Sequence, residues 1–147
     1  MKCLTCFKVL LCLTSGGVLF SGYLSGVKFF TETCAFGESC PYFLGYPACY
    51  FGFVMFLGLW ILTVLSLTRK LGEHAASRWL LGVSALGIIF AGYFTVGELP
   101  LLLSDGLKAY VLGLPTCVLG LIFYLAVFLI ALRVYFQTRE DPSLTAA

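Results

Sequence analysis

The chain has 147 residues, of which 61% are hydrophobic and only 11% are charged. A soluble domain carries about 25% charged residues, so this composition excludes an ordinary water-soluble fold. The net charge of +2 is too small to indicate a nucleic acid as partner. The composition therefore predicts an integral membrane protein whose main partner is the lipid bilayer.

Four apolar segments are each close to the roughly 20 residues that a helix needs to cross the hydrocarbon core of a bilayer. We expect these spans at residues 9–27, 48–68, 78–97 and 115–136. Little of the chain lies outside them, so the sequence predicts one integral membrane domain over 1–147. The predicted fold class is an all-α membrane protein, a bundle of four transmembrane helices.

An internal repeat relates the predicted spans in pairs. FLGYPACYFGF at 43–53 and VLGLPTCVLGL at 111–121 share the pattern LG-x-P-x-C-x-x-G, 68 positions apart. A second echo joins LFSGYLS at 19–25 to IFAGYFT at 89–95, with a spacing of 70. We therefore expect the chain to contain two copies of one helical hairpin. The two repeats cover about 9–68 and about 78–136.

Basic residues lie mostly at one end of the predicted bundle. Of the nine, only Lys28 and Lys108 fall in the loops at 28–47 and 98–114. The other seven lie near the termini or around the linker at 69–77: Lys2, Lys8, Arg69, Lys70, Arg78, Arg133 and Arg139. Because basic residues concentrate on the cytoplasmic side of membranes, we expect both termini in the cytoplasm and the two longer loops outside.

The repeated motif predicts how the second and fourth spans begin. Proline lacks an N–H donor and is tolerated in the first turn of a helix, so each motif proline is expected at an outer helix end. Cys49 and Cys117 then follow, and Gly52 and Gly120 come one turn further on nearly the same helical face. A glycine beneath each cysteine leaves space for a close helix or a flat ligand. The cysteines are either a redox pair or small apolar filler.

Four of the seven cysteines are predicted at the outer surface, where an oxidising environment permits disulfides. They are Cys34, Cys40, Cys49 and Cys117. Cys34 and Cys40 are six positions apart around a glycine, a spacing that suits a small exposed bridge. Such a bridge either takes part in thiol–disulfide exchange or stabilises the loop as a structural staple. Four cysteines allow three pairings.

The remaining cysteines support no mechanism. Cys12 lies inside the first span and is expected to pack there. Cys3 and Cys6 form a CxxC at the N-terminus, but the only histidine of the chain, His74, lies in another segment. A complete zinc site is therefore not expected, and these juxtamembrane cysteines are either lipidated or reduced.

The order of these features is a first span, an outer loop with two cysteines, a second span, a short basic turn, a third span, and a fourth span that begins with a cysteine. This order resembles the vitamin K epoxide reductase family, a four-helix bundle around a quinone. In that family a loop cysteine pair passes electrons between a thioredoxin-like partner and a membrane CxxC at the fourth span. The resemblance implies that Cys34 and Cys40 are the loop pair and that Cys117 belongs to the membrane pair.

The chain departs from the family at the membrane CxxC, because position 114 holds Leu114. Either Cys49 has taken the place of the missing thiol, so that Cys49–Cys117 is the membrane disulfide, or the protein has lost catalysis. The resemblance therefore implies quinone-coupled thiol–disulfide exchange on the outer face, with a thioredoxin-like partner. The alternative is a non-catalytic small membrane subunit or assembly factor whose disulfides are structural.

Candidate contacts for the quinone come from the outer halves of the spans. Glu98 is either a proton donor and quinone contact or a solvated residue at the interface. Tyr23 and Tyr93, matched by the repeat, either line a pocket or anchor their helices. The aromatic residues from Tyr42 to Phe53 would suit a flat ring and equally an aromatic belt. The ligand set is Tyr23, Tyr93, Gly52, Gly120 and Glu98, with no metal ligand.

Overall fold

A computed structural model describes residues 2–32, 42–105 and 116–140. The elements in chain order are α1 (Lys2–Thr31), β1 (Tyr42–Phe43), β2 (Tyr46–Pro47), α2 (Ala48–Leu67), α3 (Glu73–Asp105) and α4 (Thr116–Glu140). Each helix contains a segment long and apolar enough to cross a membrane: Leu4–Thr31, Ala48–Leu67, Glu73–Gly97 and Thr116–Arg139. The prediction of an all-α membrane protein with a four-helix bundle is confirmed.

Two helices, α1 and α3, extend well beyond the spans that hydropathy predicted, and α4 ends four residues beyond its span. α1 begins seven positions before residue 9, and α3 runs from Glu73 through Pro100 to Asp105, beyond the predicted 78–97. Hydropathy marks only the part of a helix that suits hydrocarbon. Backbone hydrogen bonding can continue into the interface, where charged residues such as Lys8 and Glu73 are tolerated. Helix length and span length are therefore separate properties of this chain.

A short β-hairpin precedes α2, and the sequence analysis did not predict it. Tyr42 pairs with Pro47 and Phe43 with Tyr46 in antiparallel register. The two residues between the strands, Leu44 and Gly45, have φ of 52° and 86°. Positive φ at both central positions is the pattern of a type I′ turn, which matches the twist of a two-residue hairpin. The hairpin brings the chain directly into α2, since Pro47 occupies the N-cap position of that helix.

The helices pack in a ring in chain order. α1 packs most extensively on α2, and α3 on α4, while the α2–α3 and α1–α4 contacts close the ring. α1 therefore lies diagonally opposite α3, and α2 lies diagonally opposite α4. Since neighbouring helices run antiparallel, one end of the bundle carries the starts of α2 and α4, and the other carries the starts of α1 and α3.

The buried positions of the two hairpins correspond at the spacings of the repeat. In α1 and α3, 70 residues apart, Leu10 matches Leu80 and Thr14 matches Ser84, and all four side chains are fully buried. In α2 and α4 the spacing is 68, and Leu59 matches the equally buried Val127. Equivalent residues of the two repeats thus face the same core.

A stacked aromatic pair fills the centre of this core. The rings of Phe56 in α2 and Tyr124 in α4 lie 4.2 Å apart at an interplanar angle of 13°. Phe56 covers Gly17 of α1, and Tyr124 covers Gly87 of α3, so closely that a Cβ at either glycine would collide with the ring. These four residues are also equivalent in the repeat. Each hairpin therefore contributes one glycine socket and one ring, and the two rings meet at the middle of the bundle.

Most buried serine and threonine hydroxyl groups donate hydrogen bonds within their own helices, and among the described residues the buried Ser66 hydroxyl is the exception, with no partner. Thr14 donates to the Leu10 carbonyl at 2.8 Å, Thr63 to Leu59 at 2.8 Å, and Ser84 to Leu80 at 2.6 Å. Bonding to a carbonyl four residues earlier removes the cost of an unpaired polar group in apolar surroundings. These side chains are consistent with a core surrounded by lipid.

We expect Gly17→Ala and Gly87→Ala each to lower the free energy of unfolding by about 1–3 kcal/mol, because the added methyl overpacks the central ring. Denaturation in mixed micelles measures the change. Gly82→Ala is the matched control, since Gly82 is exposed and a Cβ there meets nothing within 4 Å. Replacing Phe56 by Leu should restore part of the stability lost in Gly17→Ala. Equal stability of all three glycine variants would contradict the socket arrangement.

Tyr124→Phe isolates the one hydrogen bond of the central pair. The Tyr124 hydroxyl donates to the Gly52 carbonyl of α2 at 3.2 Å. Phenylalanine keeps the stack on Phe56 and loses this bond, so we expect a cost of about 0.5–1.5 kcal/mol. Tyr93→Phe changes the same chemical group at a 72% exposed site and should leave stability within about 0.5 kcal/mol. No difference between the two variants would show that the bond contributes nothing.

Candidate functional site at the cysteine end

The candidate site lies at the end of the bundle where α1 and α3 finish and α2 and α4 begin, which we call the cysteine end. Cys49 is the second residue of α2, and Cys117 is the second residue of α4. Both are half-buried. The two cysteines therefore occupy equivalent positions in the first turn of their helices, at the depth that the repeat predicted.

Cys49 is held against the last turns of α1. The Ser25 hydroxyl donates to the Cys49 carbonyl at 3.1 Å and also lies within interacting range of the Cys49 thiol. The Lys28 ammonium acts on the thiol electrostatically. The thiol thus lies in half-buried surroundings at the start of a helix, with the Ser25 hydroxyl as its close neighbour and the charge of Lys28 as a weaker influence.

Lys28 connects α1, the hairpin and α2. Its ammonium donates to the Glu32 carbonyl at 2.7 Å and lies 5.6 Å from the centre of the Tyr42 ring. A cation over an aromatic face is an attractive contact. The same charge reaches Cys49. Lys28 therefore links the end of α1 to β1.

An aromatic cluster anchors the hairpin on the α2–α3 side of the bundle. The Phe43 ring contacts Phe51 at 5.4 Å and Phe90 at 5.5 Å, and it approaches Phe94 at 6.3 Å, all edge to face. Edge-to-face packing is the favourable geometry for aromatic pairs. These four rings are therefore engaged with one another, and they fix β1 and β2 above the first turns of α2.

Cys49 and Cys117 begin helices that lie diagonally across the bundle. Neither takes part in a disulfide in this structure. α2 and α4 meet through the side chains of Phe56 and Tyr124 rather than by extensive backbone packing. A Cys49–Cys117 bond stays a prediction, and it requires the first turns of the two helices to approach each other across the bundle axis.

Open space lies one turn below each of these cysteines. A Cβ built at Gly52 or at Gly120 would meet no atom within 4 Å. At Gly17 and Gly87, in contrast, an aromatic ring already occupies the place that a Cβ would take. No ring of the core therefore covers the glycines of the cysteine motif, and their Cα faces are as open as that of the exposed Gly82.

The other residues predicted to contact a cofactor are less closely grouped. Tyr23 and Tyr93 are 56% and 72% exposed and lie on the diagonally opposite helices α1 and α3. This placement favours two equivalent surface positions over one shared interior pocket. Glu98 lies in α3, one residue beyond the segment Glu73–Gly97, and its side chain is outside the described residues.

The loop pair, Cys34 and Cys40, lies outside the described residues, so its pairing stays a prediction. Of the other cysteines, Cys12 is exposed on α1 and Cys6 is half-buried against the core. Within the described part of the chain, no group of three or more His, Cys, Asp or Glu side chains is placed to hold a metal ion.

Three residues were not singled out from the sequence as functional: Ser25 and Lys28 at the cysteine end, and Tyr124 at the centre of the bundle. Ser25 closes the echo LFSGYLS, and Tyr124 matches Phe56 at the spacing of 68. Extending the repeat residue by residue could therefore have drawn attention to Ser25 and Tyr124. The role of Lys28 depends on the hairpin, because the Tyr42 ring that it covers is brought close only by the fold.

No protein-family model matches the chain, and no curated protein matches it. The functional interpretation therefore depends on the arrangement of the residues themselves, above all on Cys49 with its two neighbours from α1.

Proposed function

We propose that the protein is a membrane thiol–disulfide oxidoreductase coupled to a quinone at the cysteine end of the bundle. The observation that carries the proposal is the half-buried Cys49 at the start of α2, whose carbonyl accepts a hydrogen bond from the Ser25 hydroxyl of α1 at 3.1 Å. Oxidation of a partner's dithiol to a disulfide releases two electrons and two protons. A quinone accepts both and becomes a quinol.

The exchange runs from a thioredoxin-like partner to Cys34 and Cys40, and from these to Cys49 and Cys117. At each transfer a thiolate attacks a disulfide sulfur, a new S–S bond forms, and the displaced sulfur leaves as a thiolate. Ser25 and Lys28 are placed to interact with the Cys49 sulfur during such a step. The equivalent position of Cys117 in the second repeat supplies the other half of the pair.

The cysteine end also offers features that suit a quinone. Gly52 and Gly120 lie one turn below the two cysteines, and a Cβ built at either glycine meets no atom within 4 Å, which leaves each first turn accessible to a flat ring. The half-buried position of Cys49 limits its contact with water. A bound quinone would supply the electron acceptor, and the chain would supply the exchanging thiols and an apolar surrounding.

A Cys49–Cys117 disulfide requires the first turns of α2 and α4 to lie close together. A disulfide needs Cα atoms about 4.4–6.8 Å apart, and α2 and α4 are diagonal partners. Small residues allow helix backbones to approach closely in lipid, and Gly52 and Gly120 are small and uncovered. The open first turns of α2 and α4 therefore support the pairing, while the Phe56–Tyr124 stack keeps the two helices apart further down.

The same diagonal arrangement favours a second function. If the first turns stay apart, Cys49 and Cys117 are packing residues in a non-catalytic membrane subunit or assembly factor, with Cys34 and Cys40 as a structural staple. Mapping the disulfides of thiol-blocked protein separates the two functions, since only the relay places Cys49 and Cys117 in one bonded peptide.

We expect Cys49→Ser and Cys117→Ser each to reduce quinone-linked oxidation of dithiothreitol to the background rate in proteoliposomes, because either change removes one sulfur of the membrane pair. Cys12→Ser is the matched control, since Cys12 is an exposed cysteine of α1 outside the site. Circular dichroism and thermal denaturation establish that all three variants are folded. Full activity in both site variants would refute the relay and leave the non-catalytic function.

Membrane sidedness is tested by single-cysteine variants in intact cells. The distribution of basic residues predicts that a membrane-impermeant maleimide labels a lone Cys34 or Cys40 from outside, and that it labels a lone Cys3 or Cys6 only after the membrane is permeabilised. The reverse pattern would place the cysteine end in the cytoplasm, where glutathione and thioredoxin keep disulfides reduced, and the proposed direction of the relay would then be wrong.

A further inference from the structure

We infer that the groove between α3 and α4, at the end of the bundle that carries the termini, binds the phosphate headgroup of an anionic lipid. Its residues are His74 and Arg78 of α3 and Tyr135 and Arg139 of α4. The inference does not depend on the cysteines, which lie at the other end of these helices.

The centre of the groove is a contact between the two helices. The rings of His74 and Tyr135 stack with their centres 5.3 Å apart and an interplanar angle of 28°. Both side chains are half-buried. Residues four apart lie on one helical face, so Arg78 follows His74 and Arg139 follows Tyr135 on the sides that flank this stack.

The two arginines approach one level of the membrane from opposite directions. Because α3 and α4 are antiparallel, Arg78 lies about 6 Å deeper than His74, and Arg139 lies about 6 Å nearer the end of the bundle than Tyr135. An arginine inside the membrane extends its guanidinium towards the interface. Arg78 would therefore turn its charge back towards the His74–Tyr135 level, where Arg139 also reaches.

Neither arginine is neutralised within the described part of the chain. Arg78 and Arg139 are exposed, and no ion pair joins them to a described residue. The nearest acidic side chain along α3, Glu73, has its Oε2 buried without a hydrogen-bond partner. By helical register Glu73 shares the core-facing side of α3 with Ser77 and Leu80. Among the described residues, the groove thus presents positive charge without an acidic partner, which is complementary to a phosphate.

Aromatic side chains place this groove at the level of lipid headgroups. Trp79, next to Arg78, is 63% exposed, and Phe136, next to Tyr135, is 52% exposed. Tryptophan and other aromatic residues concentrate at the membrane interface. A basic groove between transmembrane helices at this depth is a favourable site for an anionic headgroup, whose acyl chains continue along the apolar faces of α3 and α4.

Trp79 provides the test, because the chain has only two tryptophans. In a Trp60→Phe background, dibrominated phosphatidylglycerol should quench the fluorescence of Trp79 in detergent micelles. Each interfacial arginine contributes about 1 kcal/mol to the free energy of binding an anionic lipid. The double variant Arg78→Gln/Arg139→Gln should therefore raise the half-quenching concentration roughly thirty-fold. Dibrominated phosphatidylcholine should quench Trp79 only weakly, even when both arginines are present. Its effect there should equal that of dibrominated phosphatidylglycerol on the double variant.

Arg133→Gln is the matched control for charge. Arg133 is also exposed, but it lies two residues from Tyr135 and so about 200° around α4 from the groove. We expect this variant to bind phosphatidylglycerol as the parent does. A loss as large as that of the double variant would show diffuse charge attraction and overturn the site. Equal quenching by the two lipids would also overturn it.

Inorganic phosphate distinguishes a lipid headgroup from a free anion. Added in excess over the lipid, it should leave the quenching by phosphatidylglycerol unchanged, and displacement of the lipid would reassign the groove to free phosphate. Native mass spectrometry of the unsubstituted chain provides a second measurement that does not require Trp60→Phe. There, retention of phosphatidylglycerol should fall in the double variant and persist in Arg133→Gln.

Discussion

The stacked rings of Phe56 and Tyr124 are the contact on which the rest of the bundle depends. In lipid no hydrophobic force draws helices together, so association relies on close packing and on hydrogen bonds between helices. Gly17 and Gly87 let each hairpin close around its own ring. The rings then join the two hairpins face to face, and the Tyr124 hydroxyl adds a bond to the Gly52 carbonyl.

This central layer separates the molecule into two ends with different chemistry. At one end the first turns of α2 and α4 carry Cys49 and Cys117, with Lys28 beside the former. At the other end the His74–Tyr135 stack joins α3 to α4, and the exposed Arg78 and Arg139 each follow one of these residues by one helical turn. The diagonal placement of α2 and α4 also explains why a bond between Cys49 and Cys117 is a demanding step. Backbones that are held apart by two rings must converge within their first turns.

The two repeats have diverged most where chemistry is expected. Their core positions match in burial more than in identity, since Leu10 and Leu80 are both fully buried and so are Leu59 and Val127. Their central rings differ by one hydroxyl, which gives only Tyr124 a hydrogen bond to the opposite hairpin. The loops that follow α1 and α3 differ in cysteine content, and only the first carries Cys34 and Cys40. A duplicated scaffold thus retains its packing while one half acquires additional thiols.

The sequence by itself determined the membrane class, the four helices and the equivalence of Cys49 with Cys117, because hydropathy and an internal repeat are properties of the chain alone. It did not reveal the two-residue strands, which are too short for a periodic pattern, or the extension of α3 through Pro100, which lies beyond the hydrocarbon signal. The neighbours of Cys49 and the diagonal relation of α2 to α4 were decided by the tertiary structure. Both depend on which faces pack together, and nearly uniform apolar helices do not encode those faces as an alternation of polar and apolar residues.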